Sequence, residues 1–488
     1  MKKWNQPTDL RPRKRATRSR WKITLAGFCI AVIAAGAMFA INGPGLVKAG
    51  PPLPDRLVRQ AEQEMQAGDI RGALTDYNEA LSADPTHVRA RLGRAKLLAG
   101  RGDDSQAISD YTQVIQQSPE QPDAFLGRAQ AFSRLGRHAE ALVDYDKVVS
   151  LVGQPVDALV GRGKTRLAMN DAIGAVEDLG KAIGLKPDQA LWYRYRGDAH
   201  RQLGDLSSAL ADYTKSIELA PSDAMTYHKR GMTRRAAGDK DGAVSDYNMV
   251  IRLRKRAPSV YFNRANAKQS AGDLAGAIVD YTEALRLNPK DADAHLARGK
   301  CYEQQGELQK AVEDYSENIT QATDRAAGYL ARGQAKHRLG DLSGAIADYN
   351  QAVLLKPNDH IVFCERAQVK SSLGDASGAQ MDYNQAMAIK PDYAPAYCGR
   401  GETFLNNQKL AEAMQDFNRA IELDRNYMYA YSCRGEAKVL LHDIDGAIDD
   451  FRIVLNRSTD RGLVEMANQY LAELEPFGTG NRDQPPWH

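Results

Sequence analysis

The sequence predicts an all-α protein, a solenoid of about twelve helix hairpins closed by a C-terminal helix, behind one N-terminal transmembrane helix. Three observations carry that expectation. The chain is self-similar at a 34-residue period over most of its 488 residues. Each period holds two stretches whose apolar and small side chains recur three and four apart, the pattern of amphipathic helices. A run of nineteen uncharged residues, Ile23–Ile41, follows a basic leader.

Composition sets the outer bounds. Hydrophobic residues make up 43% and charged residues 26%, a balance that folds rather than stays disordered. Five cysteines without a CxxC exclude a disulfide-built scaffold and a paired Cys/His metal site. The net charge of +3 is unevenly placed: residues 1–22 carry nine Lys/Arg against Asp9 alone, so the remainder sums to −5. An acidic body lacks the basic face that phosphate neutralisation requires, so no nucleic-acid partner is expected.

From the N-terminus, residues 1–22 read as a cytoplasmic leader and residues 23–41 as a signal-anchor helix in the lipid bilayer. At ~1.5 Å per residue such a helix spans the hydrocarbon layer. Nine cations before it and only Lys48 within ten residues after it orient the leader inward and export the rest. In a Gram-negative-type cell that means inner membrane and periplasm. A cleaved secretory signal competes with this reading, but the basic region is long and the apolar run exceeds the usual ~7–15 residues. Either way the body is exported. Residues 42–53 are rich in Gly and Pro and read as a spacer.

Residues 54–461 form twelve repeats without insertion or deletion. Position 20 is alanine in all twelve, from Ala73 through Ala243 to Ala447. Position 8 is always Gly or Ala, and position 24 is Tyr in nine repeats, Phe417 and Phe451 in two and Leu179 in one. Position 15 is Gly in nine, replaced by Asn170, Gln408 and His442. Small residues at 8 and 20 let paired helices approach, and the ring at 24 fills the gap beside them. Glycine at 15 supplies the left-handed residue that ends the first helix. Proline at position 32 of seven repeats stops the second. No single hairpin buries its apolar face, whereas a stack of neighbours does. Residues 462–477 are amphipathic and fit a capping helix. Residues 478–488 have no helical period and read as a disordered tail.

These residues resemble the tetratricopeptide repeat, whose 34-residue unit has small residues at 8 and 20, an aromatic at 24 and proline at 32. The sequence departs from that pattern at position 4, which is mostly Tyr or Phe (Tyr193, Tyr227, Tyr261) in place of Trp. It also carries Arg at position 7 in eleven repeats and Asp at position 23 in all twelve. An arginine on every first helix and an aspartate on every second suggest a charged ladder, with two uncoupled solvated faces as the alternative.

Chemistry-bearing motifs are sparse. Ala158–Thr165 mimics a phosphate loop, but Arg162 and Gly163 fall at positions 7 and 8, inside a helix whose N–H groups are already bonded. His228 and His337 lie on first helices as surface or groove residues rather than metal ligands. Cys301, Cys364, Cys398 and Cys433 also lie on first helices. Cys364 and Cys398 share position 5 one repeat apart, too far for a bridge if helices pack ~8–10 Å apart, so free, partly buried thiols are expected. No cofactor, metal or catalytic residue is expected, and the chain does not read as an enzyme.

The resemblance implies a right-handed superhelix whose first helices line a concave groove for other proteins or peptides. Positions 2, 5, 9, 12 and 13 usually face that groove. Across repeats five to seven these give Arg194, Asp198, Arg201, His228, Met232, Arg235, Phe262, Asn266 and Gln269, with Asn263 beside them. The basic clamp of co-chaperones is not matched, because Asp293 and Ala297 stand where its cations belong. The asparagine ladder of the glycosyltransferase groove is missing too. The expected function is a membrane-anchored interaction scaffold outside the cytoplasm. The alternative is a non-catalytic subunit of a membrane enzyme such as a glycosyltransferase or polysaccharide export complex.

Overall fold

In a computed structural model, the chain is described for residues 52–253, 257–474 and 476. The leader, the apolar segment 23–41, most of the spacer and the tail 478–488 lie outside the described residues. Within them, no helix is long and apolar enough to cross a membrane.

The described residues form helices α1 to α25, numbered in chain order, and contain no strand. The first hairpin pairs α1 (Leu53–Ala67) with α2 (Ile70–Ala83), the twelfth pairs α23 (Met428–Leu440) with α24 (Ile444–Arg457), and α25 (Arg461–Leu474) closes the array. The predicted solenoid of twelve hairpins plus a capping helix is therefore observed.

Every hairpin turns at position 15. The nine glycines there have φ between 73° and 87°, and Asn170, Gln408 and His442 adopt the same left-handed backbone at 64°, 61° and 60°. The next residue is usually Asp, whose carboxylate accepts from the backbone N–H three residues on and caps the second helix. Asp69 with Gly72 N (2.9 Å) and Asp443 with Gly446 N (3.0 Å) are examples, and eight hairpins carry this cap.

The position-24 rings are the core. Tyr213, Tyr247, Tyr281, Tyr315 and Tyr349 are fully buried. Each wedges against position 8 of its own repeat: a Cβ at Gly197 would stand 2.9 Å from the Tyr213 ring. The ring also reaches forward. A Cβ at Gly127, position 6 of the next repeat, would lie 2.3 Å from Tyr111. One aromatic thus fastens three helices, which is why small residues recur on both sides of it.

The charged ladder exists and is stronger than two faces side by side. In all eleven repeats that carry it, the position-7 arginine donates two parallel bonds to the aspartate sixteen residues on. Arg230 Nε lies 3.0 Å from Asp246 Oδ2 and its Nη2 2.7 Å from Oδ1. The other pairs, Arg94–Asp110 through Arg434–Asp450, repeat that geometry. The third nitrogen reaches back to position 25 of the preceding repeat, as Arg366 Nη1 does to Asn350 (2.7 Å) and Arg230 Nη1 to Thr214 (3.1 Å). The aspartates are almost fully buried. Loss of one partner therefore strands a desolvated charge, at a cost of about 3–5 kcal/mol. Each arginine ties its hairpin internally, and all but Arg196, which meets Gly180 there, also bond to the repeat before.

The ends differ from the middle. In the first repeat Gln60 replaces the arginine, and Glu64 stands where many repeats carry a second cation. Asp76 Oδ2 is left without a partner, and burial followed by Glu64 raises its carboxyl above the usual range. At the other end α25 covers the last hairpin. Tyr470 stacks on Phe451 at 4.6 Å and 3°, and Ala467, Leu471 and Leu474 are buried.

Candidate functional site

Curvature decides which face can receive a ligand. Successive first helices touch along the array, as between α3 (Val88–Arg101) and α5 (Pro122–Arg134) and between α21 (Ala394–Asn406) and α23, whereas successive second helices show no comparable contact. The first helices thus line the inner surface and the second helices the outer.

The residues expected to form the site, on repeats five to seven, are placed on first helices, and most are engaged within the protein. Arg194 Nη1 pairs at 2.5 Å with Oδ2 of Asp223, the last residue of its own repeat and the cap of the next first helix, and Thr226 Oγ1 donates to the same oxygen at 2.6 Å. Asp198 accepts from Tyr213 OH (2.7 Å) and Lys229 Nζ (2.8 Å). Asn266 accepts from Tyr281 OH at 2.6 Å, which Gln269 also accepts at 2.9 Å. Phe262 packs edge-on to Tyr281 at 5.7 Å. Most of these contacts lie within a repeat, while Lys229 on Asp198 and Thr226 on Asp223 join repeats five and six.

His228 lies edge-on to Tyr247 at 5.8 Å with its Nδ1 buried and unpartnered. Burial, then Lys229, hold its imidazole below the ordinary range, so it stays neutral. Met232 and Asn263 are half-buried, and Arg201 and Arg235 are exposed. His228 thus meets Tyr247 as Phe262 meets Tyr281, and Arg201 and Arg235 stand beside Tyr213 and Tyr247.

Open space on the inner face lies instead along repeats two to five. A cleft of about 380 Å³ is lined by Lys96, Asp123, Leu126, Gly127, Gln130 and Tyr111. A second, of about 580 Å³, continues from it past Gln130 and Arg134 to Tyr145, Gly161, Lys164 and Trp192. Their cause is local. Gly93, Gly127 and Gly161 stand at position 6 of three consecutive repeats, so the buried preceding ring lies against bare backbone and no position-6 side chain projects into the groove there. In repeats five to seven that position is Tyr195, Lys229 and Asn263. Burial pushes the Tyr111 phenol up to about 12, so it stays protonated and able to donate. The rim is mixed: Lys96 pairs with Asp123 at 2.7 Å across exposed surface, and Lys164 Nζ lies 5.2 Å from the Tyr195 ring centroid. The run of position-6 glycines was the signal in the sequence that marked this stretch.

The phosphate-loop mimic lies within α7 (Val156–Ala168), where Gly161 and Gly163 serve only as seats for Tyr145 and Leu179. The four described cysteines are free thiols, and three are buried. The pair that meets is not Cys364 with Cys398 but Cys398 with Cys433, whose spacing is one repeat plus one residue.

A stack of helix hairpins with an inner groove defines a helical-repeat binding protein. Tetratricopeptide-repeat models match residues 58–111, 101–151, 160–224, 326–359 and 394–427, and a TPR-repeat model matches 266–306. Together they span more than half of the chain, which belongs to the tetratricopeptide-repeat family. Among solved structures, MamA is 25% identical, with 33% of this chain and 94% of that one covered at a TM-score of 0.32. The yeast Tom70 structure is 16% identical over 87% and 96%, at 0.42. YrrB, described as a TPR protein with an unusual peptide-binding site, is 21% identical over 38% and 95%, at 0.33. No curated protein sequence matches the chain.

Proposed function

We propose that this protein is an interaction scaffold whose inner groove holds an extended segment of a partner protein, centred on the clefts of repeats two to five. The observation that carries this reading is the pair of continuous clefts floored by Tyr111 and Tyr145. A phenol that stays protonated, a nearby indole and two exposed lysines suit backbone carbonyls and carboxylates of a peptide. Tyr and Trp anchors in such places commonly dominate binding energy. The apolar segment 23–41 after nine cations supports tethering to a membrane with the array outside the cytoplasm.

The test uses the full chain in detergent extract. Lys96→Glu with Lys164→Glu reverses the rim charge at exposed positions and should remove a partner that wild type captures, with helicity unchanged. Retention of the same partner overturns the groove assignment. A reporter fused after Pro54 should be active outside the cytoplasm, and activity only inside overturns the tether.

A further inference from the structure

In the last two hairpins the inner face carries a cluster that the scaffold reading does not use. Cys398 on α21 and Cys433 on α23 are buried, at 0% and 5% exposure. Glu402, one turn after Cys398, joins them: the two sulfurs and a Glu402 oxygen all lie within 4.8 Å of one another. Among the described residues this is the group of His, Cys, Asp and Glu ligand atoms that converges in this way. Tyr429 OH donates to Glu402 Oε1 at 2.6 Å, fixing the carboxyl rotamer. Glu436, one repeat after Glu402 at the same position 9, lies on the same side.

We propose that Cys398, Cys433 and Glu402 form a binding site for a thiophilic divalent cation of the Zn²⁺ class, with Glu436 or water completing a tetrahedron. Two thiolates and a carboxylate are a ligand set that such a cation takes in four-coordinate form. Tyr429 acts behind Glu402 as the outer partner that orients it.

The packing leaves the carboxylates to this cluster. Neither carboxyl forms an ion pair among the described residues, although Arg400 and Arg434 lie on the same two helices. Those arginines serve the ladder on the opposite side, bound to Asp416 and Asp450. A divalent ion would replace the two thiol protons, which leave to solvent; the two thiolates balance its charge, and the set with the Glu402 carboxylate carries one net negative charge. A disulfide would consume the thiols and leave both carboxyls as they are.

Cobalt(II) titration of the reduced full chain, in detergent and without chelator, tests this directly. One equivalent should produce a thiolate-to-cobalt charge-transfer band together with the visible bands of a tetrahedral ion, and Zn²⁺ should bleach both. Cys398→Ser and Cys433→Ser should each abolish the charge-transfer band, while Cys301→Ser leaves it intact. Glu402→Gln should weaken affinity more than Tyr429→Phe, for which loss of an outer partner predicts roughly 10-fold. Three results overturn the site: no charge-transfer band at one equivalent, a band that survives Cys398→Ser, or octahedral spectra only. Capture of the pair as a Cys398–Cys433 disulfide in protein that takes up no cobalt when reduced also overturns it.

Discussion

At the scale of single residues the arginine ladder is the main source of specificity. Arg230 is fixed by two bonds to Asp246 and one to Thr214. Asp246→Ala should lower unfolding free energy by about 3–5 kcal/mol, and a double-mutant cycle with Arg230→Ala should show coupling well above the ~1 kcal/mol of an exposed pair. Denaturant titration checks it. The ladder has one gap of a different kind. Arg196 finds Gly180 at position 25, and a Cβ there would stand 3.8 Å from its Nη1, in ordinary contact. Gly180→Asn should therefore supply the missing acceptor and a better helix former, raising stability by about 1 kcal/mol in the same titration.

His295 is a ladder variant with a pH signature. Its Nδ1 lies 3.0 Å from Asp314 Oδ1 and its Nε2 3.2 Å from Pro289 O. Burial opposes protonation, but the bonds to Asp314 and Pro289 outweigh it and raise the imidazole above its ordinary 6.5. A raised pKa means that the folded state holds the proton longer than the unfolded chain. The stabilisation is thus complete below about pH 6.5 and lost as pH climbs through the higher folded value. Thermal melts of wild type should fall between pH 6 and pH 8 more than those of His295→Tyr, the residue other repeats use at position 4. An equal fall in both would remove His295 as the cause.

At the scale of elements, each hairpin depends on a left-handed residue followed by a cap. The eleventh has neither in good form: Gln408 sits at φ 61° and Lys409 precedes α22 (Leu410–Leu423) without a side-chain cap. The left-handed conformation costs a non-glycine residue about 1–2 kcal/mol, and a missing N-cap about 1 kcal/mol. Gln408→Gly with Lys409→Asp should recover on the order of 2 kcal/mol, read from the denaturation midpoint. The same two positions in the sixth hairpin, Gly238 and Asp239, already have the favourable pair, with Asp239 capping Gly242 N at 2.9 Å. Changing Asp239→Ala there should cost about 1 kcal/mol.

At the scale of the molecule, stability is a sum of hairpins and their interfaces. The C-terminal hairpin is covered by α25, while the first carries Asp76 unpaired and Gln60 in place of arginine. Amide exchange should therefore open α1 and α2 before any central hairpin, and Gln60→Arg should slow that exchange by completing the ladder. Equal protection at both ends would contradict it.

The repeat, its register, the turn residues and the existence of an Arg/Asp pairing were all legible in one dimension, because a 34-residue period maps each residue onto the same environment twelve times. Near-neighbour physics, helical periodicity and left-handed turns settle those features without any long-range information. What the ladder joins, and where the groove is open, depended on the stacked structure. Arg194, Asp198 and Asn266 occupy groove positions by register, yet Asp223 at the end of the same repeat, Lys229 of the next, and Tyr213 and Tyr281 claim them. The open clefts arise where glycine at position 6 meets the preceding ring, and the thiol pair arises where position 5 of one first helix meets position 6 of the next. These contacts join residues about half a period apart, as ring to glycine, or about one period apart, as thiol to thiol. Period alone says that residues one repeat apart share a face; the packing within a hairpin and the rise and rotation to the next decide which residues touch.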